Sequence, residues 1–289
     1  MGGFVWDNSD NQMVLSASNT YSGLTIISSG LTLTLTNNGS ISHSSLIFFG
    51  GADPASVHIN ASGRADKTLT LTGGQTLSGI GRIDGNLAVA PGAILSPAGT
   101  NTTLGIVAGA DVIGTISATN AIILNGTTVI ELNGSGMNDV VQSTGSGITY
   151  GGSLNLTNIS NLPLVAGNSF QIFRANNYLG SFADIIPATP GAGLVWDTTQ
   201  LTSGKLNVAI ASPQPVVNNI IMSGNNLIFS GTNGVTNGGF SVLTSTNVAI
   251  PLIDWEVLLT NNFSSDGTFH VTNAISPDAP QRFYRIQLH

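Results

Sequence analysis

Apolar and polar residues alternate in short runs along most of the chain. The runs are LTII (24–27), LTLTLT (31–36), SLIFF (45–49), SVHI (56–59), TLTLT (68–72), NLAVA (86–90), AIIL (121–124), TVIEL (128–132), SLNLT (153–157), SFQIF (169–173) and KLNVAI (205–210). Period-two alternation sends one side of each run into a core and the other toward solvent, as in a half-buried strand. Clusters of Gly, Asn, Ser and Pro, such as SSG, NNGS and TPGAG, separate the runs. These are turn chemistry. No helical period persists, so the chain is predicted to be all-β.

Many short strands with frequent turns fit either a sandwich or barrel, or a stacked solenoid. The solenoid is favoured up to residue 211. Its runs resemble one another, two-residue hairpin spacing is rare, and large aromatics are few. A coil of about 20 to 25 residues, advancing about 4.8 Å, gives a parallel β-helix roughly 45 Å long. The stretch ASPQPVVNN (211–219), with two close prolines, reads as a linker, taken as 212–218. Beyond it, Phe240, Trp255, Phe263, Phe269, Phe283 and Tyr284 are enough aromatics for a compact core. Strands are predicted at 226–230, 239–245, 254–260, 267–272 and 282–288, making 219–289 a small β-sandwich-like module.

Composition narrows the function. Charged residues are 7% of the 289, against about a quarter in ordinary soluble domains. Ser, Thr, Asn and Gly must hydrate the surface instead. The net charge is −7 with seven basic side chains, too few for a phosphate-neutralising stripe, so nucleic acid is not expected as a partner. Anionic membrane surfaces are disfavoured for the same reason. No apolar run approaches the length of a membrane span, so membrane insertion is not expected. With no cysteine, disulfides, thiolate metal sites and cysteine nucleophiles are excluded. Met1-Gly2-Gly3 leads straight into Phe4-Val5-Trp6, without a signal-peptide pattern, so any export signal is expected to lie outside this sequence.

The stretch NTYSGLTIISSGLTLT (19–34) resembles the autotransporter-associated β-strand repeat. Asn19, Thr20, Tyr21, Ser22, Gly23, Thr25, Ile26, Gly30 and Leu31 match its pattern, while Leu24 stands where many repeats carry a second glycine. Residues 77–100 and 193–208 resemble the sections that follow such repeats in large secreted passengers. VLTSTNVAIPLIDWEVLLTN (242–261) and NAISPDAPQRFYRIQL (273–288) resemble C-terminal modules of very long repeat proteins. The resemblance implies a right-handed parallel β-helix on an exported bacterial surface protein. It specifies architecture rather than an activity, and it brings no translocator barrel.

Chemistry on such a scaffold needs clustered carboxylates with a basic partner. The acids of the first 210 residues are scattered singly near turns. The best local group is Arg64, Asp66 and Lys67 with Arg82 and Asp84, about one coil apart. Arg64, Lys67, Arg82 and Asp84 form the candidate glycan-contact patch, against the simpler reading of two solvated turns. His43, His58, His270 and His289 have no metal-ligand spacing. GIGRIDG (79–85) lacks a following helix, so its glycines are expected at tight corners rather than around a phosphate. Gly50-Gly51-Ala52-Asp53 occurs once, not as a calcium-binding repeat. Thr rows in LTLTLT and TLTLT could order water if they formed one flat face. Trp255 is expected in a core, and Trp196 as a cap on the last coil.

The sequence thus leads to an extracellular or surface structural protein, a stalk, adhesin or fibre subunit, with no enzyme activity and no cofactor or metal. An uncapped terminal coil is an open strand edge, so Phe4, Val5 and Trp6 are the candidate assembly edge and self-association the expected partnership. Extracellular glycans are the other candidate partner, and a carbohydrate-binding or polysaccharide-degrading β-helix is the alternative function.

Overall fold

The computed structural model describes residues 4–6 (backbone only), 11–50, 55–98, 113–275 and 281–289. The chain separates into two compact units, Met1–Ile210 and Ala211–His289. Every strand predicted above is present, within a few residues at its ends. The described residues contain no α-helix.

In the first unit the strands stack in parallel into three sheets. One runs from Phe4–Trp6 through Thr25–Ser28, Leu46–Gly50, Thr76–Asp84, Ile94–Pro97, Leu132's strand Thr127–Leu132 and Ser153–Asn158 to Asp184–Ile186. A second joins Gln12–Leu15, Thr32–Asn37, His58–Arg64, the far half of Thr76–Asp84, Thr115–Ala118, Val140–Ser143 and Phe173–Arg174. The third holds Thr68–Leu71, Asn86–Val89, Ile122–Leu124, Ile148–Tyr150 and Tyr178–Gly180. From Thr68 onward the chain visits the three in one cyclic order. Successive passes are 18 residues apart where Leu77 meets Leu95 and 33 where Leu95 meets Thr128. This spread is wider than the expected 20 to 25. Eight strands in the longest path give seven spacings, about 34 Å rather than 45.

Thr76–Asp84 shows how glycine turns a corner without breaking a strand. Its first half pairs with Leu46–Gly50, and Arg82–Asp84 pair with His58–Asn60. At the bend Gly79 has φ +98°, and a Cβ there would lie 2.1 Å from the Phe49 carbonyl oxygen. A Cβ on Gly81 would lie 2.3 Å from the buried Phe49 ring. Only glycine fits such an approach.

Inward residues form one apolar column from Ile27 to Val208. Toward its C-terminal end the filling becomes aromatic, with Tyr150 4.9 Å from both Phe173 and Phe182 between ring centroids. There Lys205–Ile210 pairs antiparallel with Ser169–Gln171 and Leu194–Asp197. Leu206 and Val208 from that sheet are buried in the column, and Leu201 accepts a 2.9 Å hydrogen bond from the Tyr150 hydroxyl. Trp196 packs on the same core and donates to the Pro187 carbonyl at 2.9 Å.

The second unit has two three-stranded antiparallel sheets, ordered Val216–Ser223, Asn226–Thr232, Phe269–Ala274 and Glu256–Asn262, Gly239–Ser245, Phe283–Leu288. They share a core of Phe229, Phe240, Val242, Phe263, Phe269 and Val271. The strand Val216–Ser223 begins inside the stretch expected to be linker. All eight of its residues are exposed, so no alternation marked it in the sequence.

Candidate functional site

The candidate patch resolves into two separate ion pairs. Arg64 Nε lies 3.0 Å from Asp66 Oδ1, and Arg82 Nε lies 2.8 Å from Asp84 Oδ1. Each closes over two residues. Arg64 also donates from Nη1 to the Gly39 carbonyl, and its bonds to Asp66 hold that carboxyl below the usual carboxylate range. Arg82 Nη2 sits 3.4 Å from His58 Nδ1. Parallel register sets Arg82 beside His58 but Arg64 beside Asn37, at opposite ends of His58–Arg64. That is six residue steps, or roughly 20 Å if fully extended. Lys67 occupies the turn between them at φ +51°, its carbonyl accepting from the Asn86 amide. The crevice beside Arg64, lined with Ser40, Thr68 and Thr70, is only about 70 Å³, below the size of ordinary ligand pockets.

The backbone of Phe4–Trp6 pairs with Thr25–Ile27 and, with Gln12–Leu15, terminates its sheet among the described residues. Asp53 lies outside the described residues. His43 Nδ1 is 3.1 Å from the Asn19 carbonyl, and His58 Nε2 faces the Ala55 carbonyl, so the two imidazoles serve different turns. Among the described residues no three His, Asp or Glu side chains gather as metal ligands would. The two threonine rows fall in different sheets, Thr32–Asn37 in one and Thr68–Leu71 in another. Thr34 is buried, with Gln12 Nε2 donating to it at 2.9 Å. A single flat threonine face is therefore absent here.

The 19–31 motif has a structural job. Among the described residues before Thr68 the third sheet has no strand; an isolated bridge joins Ser18 and Ser40, and side chains bond nearby carbonyls. Asn19 Nδ2 donates to the Ala17 and Ser40 carbonyls, at 3.0 and 3.2 Å. Tyr21 Oη lies 2.6 Å from Thr25 Oγ1, which donates to Ser44 Oγ at 2.8 Å. Ser44 passes the chain on to the Gly23 carbonyl, also at 2.8 Å. Burial pushes the Tyr21 phenol upward.

Sequence reasoning missed one buried carboxyl. Asp139 is fully buried, its oxygens accepting from the Gly114 amide at 2.8 Å and the Glu131 amide at 2.9 Å. Burial outweighs those bonds and, aided by the nearby Glu131 charge, raises its pKa to about 8. Only its place after a Gly-Ser-Gly turn, in NGSGMNDVV, set it apart. It bridges segments 17 or more residues apart as a structural clasp. Trp255 is a correction too: it lies outside the core, donates to the Ile250 carbonyl at 3.2 Å, and lines an open cavity of about 450 Å³ with Leu252, Ile253 and Arg285.

No family model, curated protein or solved structure matches the chain. No helix among the described residues is long and apolar enough to cross a membrane.

Proposed function

We propose that residues 1–210 form a right-handed parallel β-helix of the autotransporter-associated repeat kind, serving as a stalk or fibre subunit on an exported bacterial protein. The second unit is then a β-sandwich that ends it. The observation supporting this is the cyclic order of three parallel sheets from Thr68 onward, around one apolar column that also takes in the two-sheet stack before it. Such a stack holds itself together by backbone ladders and needs few charges and no disulfides. The same ladder runs out to Phe4–Trp6, so association end to end proceeds through Phe4, Val5 and Trp6. The glycan-binding alternative is weaker, because each arginine is held by the aspartate two residues on and the two stand at opposite ends of the His58–Arg64 strand, Arg82 on the strand beside it.

The test is negative-stain electron microscopy of the whole chain across a concentration series, with sedimentation velocity alongside. Rods that join end to end, and a Val5→Pro variant that no longer joins, are the expected result. A strict monomer at every concentration overturns the assembly role. A saccharide array with a saturable ligand lost in Arg82→Ala would return the glycan alternative.

A further inference from the structure

The two sheets of the C-terminal unit are displaced by one strand. Phe240 of Gly239–Ser245 lies 5.8 Å from Phe269 of Phe269–Ala274, between ring centroids. Phe229 of Asn226–Thr232 lies 5.7 Å from Tyr284 of Phe283–Leu288. One step further along the first sheet comes Val216–Ser223, and among the described residues the second sheet has no strand to set against it, because Phe283–Leu288 is its last. The consequence shows in exposure. A register shift between Val217 and Asn219 puts Val217, Ile220 and Met222 on one side of the edge strand, and Val217 and Ile220 line a groove that Phe229, Tyr284 and Ile286 also line. Yet Val217 is 42% exposed, Ile220 65% and Met222 59%. Side chains that a fourth strand would bury instead meet solvent over a groove of about 310 Å³.

We propose that the free edge of Phe283–Leu288 receives an extended strand from a partner protein, which completes the second sheet and covers Val217, Ile220 and Met222. Strand addition supplies main-chain hydrogen bonds along the edge, while pockets beneath select alternate side chains. The floor calls for β-branched or larger apolar residues at every second position. The rim states the charge. Arg282 and Arg285 line the groove, and no carboxylate does so among the described residues. The partner segment therefore carries Asp or Glu at outward positions beside those arginines, and like charge there would repel Lys. This site is independent of the stalk proposal, since it involves only the second unit.

The probe is the acetylated, amidated peptide EVTVEIDV, labelled with fluorescein and titrated with the 1–289 chain by fluorescence anisotropy. Saturable binding is expected. A peptide with Pro at its centre should lose it, because Pro blocks strand pairing. Ile220→Asp should weaken binding by about tenfold or more. Arg285→Glu should shift preference toward KVTVKIKV, whereas Val248→Asp, on an exposed turn, should change nothing. Near-ultraviolet circular dichroism of each variant checks that the fold is kept. No saturable binding, or equal binding of the proline peptide, overturns the proposal. So does a dimer in sedimentation that Ile220→Asp dissolves and the peptide fails to displace, which would assign the edge to a second copy.

Discussion

Replacing Asp139 by Asn separates the charge of this clasp from its shape. Between an unfolded value near 3.8 and a folded value of about 8, the folded chain holds a proton that the unfolded chain releases. The folded state then binds more protons, so stability falls as pH rises. The contribution is whole below about pH 4 and is lost progressively up to about pH 8. At about 1.4 kcal/mol per pKa unit, the span amounts to on the order of 5 kcal/mol. Asn stays neutral throughout but turns an amide group toward one of the two backbone donors. Leaving the Gly114 or Glu131 amide without its acceptor costs about 1–3 kcal/mol. The variant should therefore be less stable than the parent at pH 4.5 and more stable at pH 8.5, with the curves crossing between. Urea unfolding at half-unit pH steps gives the comparison. Carrying Trp255→Phe in both proteins leaves Trp6 and Trp196 as reporters of the first unit. Equal pH slopes in the two proteins would refute the argument, because every other titrating group is shared.

Three further perturbations test the packing. Gly79→Ala forces a Cβ to within 2.1 Å of the Phe49 carbonyl oxygen at φ +98°; a loss on the order of 3 kcal/mol or more is expected in urea unfolding. Phe173→Ala empties a fully buried ring site among Tyr150 and Phe182, and calorimetry should register a loss of about 3–5 kcal/mol. Arg82→Ala removes a partly exposed pair with Asp84, for which a change below about 1 kcal/mol is expected, shrinking further in 0.5 M salt.

Much of the fold was legible because alternation is local. TLTLT puts both its leucines on the buried side, and TVIEL buries Ile130 and Leu132 while Val129 shares the half-exposed side with Glu131. The strands not anticipated at Thr115–Ala118 and Val140–Ser143 bury Ser117 and Ser143 as well as aliphatics. Counting apolar residues cannot find those. Val216–Ser223 escaped for the opposite reason, since neither of its faces is covered. Trp255 was assigned to a core on its neighbours' alternation, but the 3₁₀ turn Leu252–Asp254 just before it breaks that alternation and leaves the ring over a cavity. The patch was half legible. Spacing grouped these residues about one coil apart, but Arg82 pairs with His58, at the far end of His58–Arg64 from Arg64, a register that no motif announces.

In the first unit, polar side chains supply hydrogen bonds where strand pairing stops. A coil with strands on all three sides satisfies its backbone by pairing, and its side chains are free to be aliphatic. Among the described residues no strand of the third sheet lies between Gln12–Leu15 and Thr25–Ser28 or between Thr32–Asn37 and Leu46–Gly50, and there Asn19 and Ser44 bond carbonyls; Gln75 Nε2 donates to the Ile41 and Ser44 carbonyls at 2.9 and 2.7 Å. Buried main-chain groups left unpaired would each cost about 1–3 kcal/mol, which these side-chain bonds avoid. Polar residues that could be mistaken for a site, Ser44 and Gln75 among them, here bond the carbonyls of neighbouring turns.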